Sequence, residues 1–313
     1  MIKIISVDHG NRMMKTSNNS FMSGYIASDH LPTLDCDVLV YEGNEYILSD
    51  KRVIQKNDKT DDDSYFILTL FAIGKELISL DDIQALLTEE PINVELLTGL
   101  PPLHYKSFHL KFKEYFLKRK QPIKFALNKQ PIAVNIKDVH VFPQAYAAAI
   151  TAFDDIKDAP IVNIVDIGGY TVDIIQLENL KTNMDVCTTF YKGVNTLFQK
   201  INEHIRATGD KDIRESIIEN ILLNDLKSIE NYSKARIELI QNQALKFATD
   251  VLLEVGHNGM DLTEDVTVFV GGGSMLLKEY LKKTNIAKKV IFVEDLCANA
   301  KGYQIIYYTQ RES

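Results

Sequence analysis

Three glycine loops, each behind an apolar run, predict an α/β fold built from two related halves. Val7-Asp8-His9-Gly10 follows the first run, and Val165-Asp166-Ile167-Gly168-Gly169-Tyr170-Thr171 follows the second. Phe269-Val270-Gly271-Gly272-Gly273-Ser274 follows the third. The two Asp-Gly loops read as strand, tight turn, strand. Glycine in such a turn lets backbone N–H groups come close to a phosphate, because no Cβ intervenes. A carboxylate at a strand end suits Mg²⁺, held mainly through its waters. A chain of 313 residues has room for about two domains.

The elements follow in order. Residues 3–7, 13–16 and 20–27 read as strands, with Asn18-Asn19 as a turn. Residues 37–41 and 45–48 form a hairpin around Gly43-Asn44. Residues 51–64 are polar, and Asp61-Asp62-Asp63 leads into a helix start, where acids are favoured. Residues 65–78 are helical and apolar on most faces, hence buried. A strand at 92–98 precedes a basic amphipathic helix at 104–120, with Phe108, Phe112, Tyr115 and Phe116 on its inner face. Strands at 123–127 and 132–141 come next, and Pro143 opens a helix that continues over 145–153.

The second half repeats the plan. Strands at 161–165 and 171–177 flank the Asp166 loop, and 186–191 pairs beside them. Gly193 precedes a helix to about 206, and helices at 212–223 and 232–255 follow. A strand at 266–270, a helix at 275–283, a strand at 290–293 and a helix at 296–309 close the chain. The expected division is residues 1–145 and 146–299. The first half carries a small insert near 30–95, the second a helical insert near 194–256, and the helix near 300–313 packs back on the first half.

Composition narrows the function. A net charge of −8 argues against a protein that coats nucleic acid through its own basic surface. The basic helix fits a solvated face or a protein contact better than a nucleic-acid site. No apolar run approaches the ~20 residues of a bilayer span. The first residues meet Asp8 too soon for a signal peptide. Cys36, Cys187 and Cys297 are few and scattered, which suits a reducing cytoplasm. There is no G-x-x-x-x-G-K-[ST], G-x-G-x-x-G, C-x-x-C or H-E-x-x-H pattern.

The order of motifs resembles the actin-like ATPase superfamily, and within it the ParM-like (StbA-type) bacterial actins. Asp8-His9-Gly10-Asn11 with Lys15 resembles their first phosphate loop, and Thr98-Gly99-Leu100-Pro101 a strand-end segment. Val141-Phe142-Pro143-Gln144-Ala145 resembles a connecting segment. Asp166-Ile167-Gly168-Gly169 with Thr171 and Asp173 resembles the second phosphate loop, Val270-Gly271-Gly272-Gly273 the adenosine loop, and Ala298-Asn299-Ala300-Lys301-Gly302-Tyr303 the C-terminal segment. His9 stands where that family has a small residue and is expected to be a loop residue. Tyr170 is a second departure.

The resemblance implies an actin-like fold, two related βββαβαβα domains around a nucleotide cleft. It implies Mg²⁺ held by Asp8 and Asp166, mainly through water, and a water aimed by Gln144. It places Gly10, Asn11, Lys15, Gly168, Gly169 and Thr171 around the phosphates, and Gly193, Gly271, Gly272, Gly273 and Ser274 around the nucleoside. The implied cofactors are Mg²⁺ and ATP, with GTP as the other nucleotide. The implied partners are further copies in a filament and an adaptor bound to centromere-like DNA, with no direct nucleic-acid contact and no membrane. A small-molecule kinase of the same fold, or a non-polymerising chaperone-like or scaffold ATPase, are the alternatives.

Overall fold

The computed structural model describes residues 2–27, 36–53, 58–79, 90–225, 230 and 232–312, the side chain of Met184 excepted. Parts of the insert expected near 30–95 therefore lie outside the described residues. The chain divides into two compact units, Met1–Thr151 with Leu296–Ser313, and Ala152–Asp295.

In the first unit, β1 (Ile2–His9), β2 (Met13–Thr16) and β3 (Ser20–Met22) form an antiparallel meander. The expected single strand over 20–27 is two strands. Ser23 breaks it by donating its N–H to the Arg12 carbonyl and its hydroxyl to the Gly10 carbonyl. The chain then changes partner, and β4 (Gly24–Ala27) pairs with β6 (Asn44–Arg52). β5 (Val38–Tyr41) reaches β6 through Glu42 and Gly43, both at positive φ. That is the pattern of a two-residue I′ hairpin turn, one residue earlier than Gly43-Asn44.

Helix α1 (Ser64–Ile78) buries eleven of its fifteen residues, as an apolar helix must. β7 (Ile92–Leu100) lies parallel to β1, and α2 (Pro102–Leu117) follows with proline in its first turn. β8 (Ile123–Leu127) turns through Asn128-Lys129 into β9 (Gln130–Pro143), which lies parallel to β7. Among the described residues the sheet order is β3-β2-β1-β7-β9-β8-β5-β6-β4. Its core includes Leu68, Phe71, Leu96, Phe116 and Val139. Truncating such a side chain costs about 3–5 kcal/mol for Phe→Ala.

Pro143 ends β9 instead of opening a helix. It still pairs in register with Leu100, and Gln144 donates its N–H to the Leu100 carbonyl. Helix α3 (Tyr146–Ile150) starts only after Ala145 has turned at positive φ.

In the second unit, α4 (Phe153–Ile156) leads to β10 (Ile161–Ile167), β11 (Val172–Glu178) and β12 (Lys181–Phe190), again an antiparallel meander. Helices α5 (Val194–Ala207), α6 (Glu215–Leu222) and α7 (Lys234–His257) follow. β13 (Val266–Val270) is parallel to β10, and β14 (Lys289–Phe292) is parallel to β13. Between them, the helix expected over 275–283 is two short ones, α8 (Gly272–Leu276) and α9 (Lys278–Thr284). The sheet order β12-β11-β10-β13-β14 repeats β3-β2-β1-β7-β9 of the first unit. The last helix, α10 (Ala298–Glu312), belongs to the first unit, where Tyr303 and Tyr307 pack with Leu97, Phe142 and Ala147.

Candidate functional site

In the first unit, β1 delivers Asp8 to a buried position at its end, 2% exposed. A buried carboxylate is costly unless polar groups surround it. Here Gln144 Nε2 donates to Asp8 Oδ1 at 2.6 Å. Asn299 Nδ2 lies 3.5 Å from Oδ2, Tyr303 Oη 3.5 Å from Oδ1, and Lys15 Nζ 3.8 Å from Oδ2. Asp8 and Gln144, 136 positions apart, are thus in direct contact. A carboxylate only accepts, so the Gln144 amide must turn its nitrogen toward Asp8, and its oxygen becomes the atom that can accept from a water. Lys15 is mostly covered, its side chain 14% exposed, and is no free surface lysine.

The loop after Asp8 is pinned from both sides. Gly10 and Arg12 accept from Ser23, and Asn11 Oδ1 accepts from Tyr65 Oη at 2.9 Å. His9 is not the loop residue expected. It is the last residue of β1 and fully buried, with its ring edge-on to Phe112. Thr69 gives its proton to the Tyr65 carbonyl, so His9 Nε2 donates to Thr69 at 2.7 Å and Nδ1 accepts from Thr98 at 2.8 Å. Burial, and then the charge of Lys59, holds its pKa well below the ordinary imidazole range. The ring is therefore a neutral core group. Lys59 itself is buried and donates to the His9 carbonyl.

In the second unit, Asp166 ends β10 half-buried, in register with Val270 on one side and Asp173 on the other. Gly271 follows Val270 at φ +86, and a Cβ there would lie 2.1 Å from Asp166 Oδ1. Both facts require glycine. The 168–171 turn closes by Gly168 N–H donating to the Thr171 carbonyl at 2.8 Å. The Thr171 hydroxyl donates to Asp173 Oδ2 at 3.0 Å, and Thr189 donates to the other oxygen of that buried carboxylate. Gly193 packs against this turn, since a Cβ on it would lie 2.4 Å from the Gly169 carbonyl and the Tyr170 nitrogen. The first N–H groups of α5, on Val194 and Asn195, donate to the Gly168 and Gly169 carbonyls. The second loop and the start of α5 are one backbone unit.

Gly272, Gly273 and Ser274 are the first residues of α8, three residues ahead of the helix start expected at 275. Ser274 is fully buried, and its hydroxyl has no hydrogen-bond partner among the described residues. The basic stretch of α2 and the residues just after it answers acids of its own unit: Lys111 pairs with Asp58, Lys113 with Asp138, and Arg119, past the helix end, with Asp63, at 2.5–2.6 Å. Those pairs take up three of the six lysines and arginines over 104–120 and one acid, Asp63, of the 61–63 run.

The polar shell of Asp8 was only partly visible in sequence. Asn299 and Tyr303 lie in the segment that resembles the family's C-terminal one, with no role assigned to either, and Lys59, which holds the His9 carbonyl, lies in a polar stretch with no pattern to mark it. Ser23 and Thr69 have no signal of their own, and Thr98 stood out only as part of the Thr98-Gly99-Leu100-Pro101 segment, not as a partner of His9.

Residues 6–146 match the family of actin-like proteins, N-terminal domain, and residues 164–283 match the archaeal actin homologue MreB-like C-terminal family. Solved structures share the fold at low identity. A 15-stranded ParM filament from Clostridium botulinum is 15% identical, with 99% of this chain and 100% of that one covered and a TM-score of 0.75. The apo psk41 ParM protein is 17% identical, covering 99% and 98%, with a TM-score of 0.69. An archaeal actin homologue in complex with ADP is 15% identical, covering 99% and 100%, with a TM-score of 0.73. No curated protein matches the chain in sequence.

Proposed function

This chain belongs to the actin-like protein family, and from that premise we propose that it binds Mg²⁺-ATP, hydrolyses it slowly and assembles into filaments that segregate plasmid or phage DNA. The contact of Gln144 with Asp8 at 2.6 Å carries this reading. It fixes a carboxamide whose oxygen can accept from an attacking water, beside a carboxylate at the first phosphate loop. A glutamine is no strong base, but aiming the water is the task that NTP hydrolysis sets.

Asp8 in the first unit and Asp166 in the second each stand near the end of a strand. Their carboxylates are hard oxygen donors of the kind Mg²⁺ takes. Mg²⁺, when bound, neutralises phosphate charge. Lys15 adds positive charge beside Asp8, while the 168–171 turn and the start of α8 supply backbone N–H groups for phosphate and nucleoside.

Filaments follow from contacts between unlike faces of identical subunits, which do not close. The ParM filament among the structural relatives supports that reading at the level of fold. A net charge of −8 suits a subunit that meets DNA through an adaptor. No described helix is long and apolar enough to cross a membrane.

Sedimentation with Mg²⁺ and ATP, ADP, GTP or no nucleotide, run beside phosphate release, tests the proposal. The expected result is polymer above a critical concentration only with ATP or a slow analogue, and phosphate release that rises with polymer mass. Phosphate transfer to a small metabolite would replace it with a kinase. A protein that stays unassembled at tens of micromolar, on the order of typical assay concentrations, would remove the filament from it.

A further inference from the structure

Resting on the ATPase reading above, we infer that Asn299, in the first turn of α10, is the positioning residue that aims Gln144. Ala145, the residue after Gln144, has φ 61 and ψ −53, and Tyr146 N–H donates to the Gln144 carbonyl at 2.6 Å. This is a three-residue γ-turn of the positive-φ kind, rare and strained for a residue with a Cβ. Such a turn persists only where its surroundings over-determine it.

Asn299 supplies that constraint. Its Oδ1 accepts the Ala145 N–H at 2.9 Å, across 154 positions of sequence. Its Nδ2 lies 3.5 Å from Asp8 Oδ2, whose other oxygen accepts from Gln144. The orientation of the amide is forced twice over, since an oxygen must face the N–H and a nitrogen must face the carboxylate. The contacts close a ring through Asn299, Ala145, Gln144 and Asp8, all of them buried. From the other side, Gln144 N–H is fixed to the Leu100 carbonyl at 2.8 Å. With the main chain held on both sides of Gln144, its Cα–Cβ bond is fixed in direction, and from there the side chain reaches Asp8.

Asn299→Ala removes the clamp and leaves the proposed nucleotide contacts in place. Phosphate release in a single turnover should fall about a hundredfold, the scale of misplacing a positioned group, with nucleotide affinity unchanged. Hydrogen exchange at the Ala145 and Tyr146 amides should speed up, and the Gln144 side-chain amide resonance should lose its shift from Asp8. Asn299→Asp keeps an acceptor for Ala145 but sets a second carboxylate against Asp8. It should keep amide protection and still lose turnover. Tyr307→Phe loosens α10 at Glu95 instead and should leave turnover unchanged. Wild-type turnover in Asn299→Ala, or an equal loss in Tyr307→Phe, would overturn the assignment. So would an unshifted Gln144 amide in Asn299→Ala. If the wild-type protein releases no phosphate, the ATPase reading fails by itself, while exchange and the Gln144 resonance still decide whether Asn299 holds the turn.

Discussion

The two units carry the same five-strand order and the same strand-end aspartate, yet they hold it in different ways. Asp8 sits in a cage of side chains drawn from positions 15, 144, 299 and 303. Asp166 is half-buried against backbone, with the main chain of Gly271 where a side chain would otherwise stand. A cage of side chains can aim a group, since each donor fixes a direction. A backbone cradle leaves room for a ligand, since it fills little space. On the function proposed above, the side-chain cage of the first unit would serve to orient a water, and the glycine-lined loop of the second to let a phosphate come close.

Removing either carboxylate should have the largest effect. Asp8→Ala and Asp166→Ala should each weaken Mg²⁺-dependent nucleotide binding and bring hydrolysis to background, a loss of a few kcal/mol by comparison with other electrostatic catalytic groups. Phosphate-release rates like those of the unaltered protein would refute the pair. The comparison sharpens in a double variant. Asp8→Ala already frees Gln144, so Asp8→Ala with Gln144→Ala should lose little more than Asp8→Ala alone.

Gln144→Ala should separate binding from turnover. Affinity for ATP should hold, because aiming a water matters in the transition state, while hydrolysis should fall about a hundredfold. Filaments formed in ATP should then persist longer. Lost affinity with normal turnover would show that Gln144 contacts the ligand instead.

Gly271→Ala probes the cradle of the second unit. The φ of +86 and the 2.1 Å approach to Asp166 predict strain on the order of 1–3 kcal/mol and an affinity loss of about tenfold or more. Because the lesion is in the cradle, the residual bound nucleotide should turn over near the normal rate. A drop confined to turnover would make the two units alike.

How much of this the sequence disclosed depends on the range of the interaction. Strand, turn and glycine sit within a few residues of each other, so both Asp-Gly loops could be read directly, as could α1 from its apolar run; the split of the 275–283 helix into α8 and α9 could not. The contact of Gln144 with Asp8 joins positions 136 apart, and only the order of whole motifs pointed to it. The break at Ser23 and the delayed start of α3 were not legible. Each turns on one side chain or one positive φ whose partner lies far along the chain, whereas the local pattern favours a continuous element. His9 misled for the same reason: next to a glycine it looks like loop, but Thr69 and Thr98, distant in sequence, draw it into the core.

The smallest effect is expected from acid, and it should fall unequally on the two units. In the first unit the Tyr307 hydroxyl, then His140 and Arg311, hold the Glu95 carboxyl below its usual range against the cost of burial. Arg119 does the same for Asp63. For Asp37, Asp58 and Asp138, burial alone would raise the carboxyl, but lysines 75, 111 and 113 and local hydrogen bonds bring it below. A carboxyl lowered on folding stabilises fully above its unfolded pKa of about 4 and loses that contribution as pH falls through the folded value. In the second unit Thr263 and the Glu264 amide lower Asp261 and Lys278 lowers Glu294, both exposed, while burial raises Asp265, whose protonation relieves a cost and acts in the opposite sense. Hydrogen exchange followed from pH 7 toward about 4 should therefore show the first unit opening before the second. Tyr307→Phe isolates one contributor. The hydroxyl bonds a charged group, so its loss should lower stability by about 2 kcal/mol at neutral pH and by less in acid, where Glu95 is protonated. Burial and then Glu95 raise the Tyr307 pKa to about 12. This bond is accordingly full below the unfolded tyrosine value of about 10 and fades as pH rises from there toward 12. Equal acid sensitivity of both units in the exchange profile, or a Tyr307→Phe penalty as large in acid as at neutral pH, would show that the ion-paired acids do not distinguish the two units.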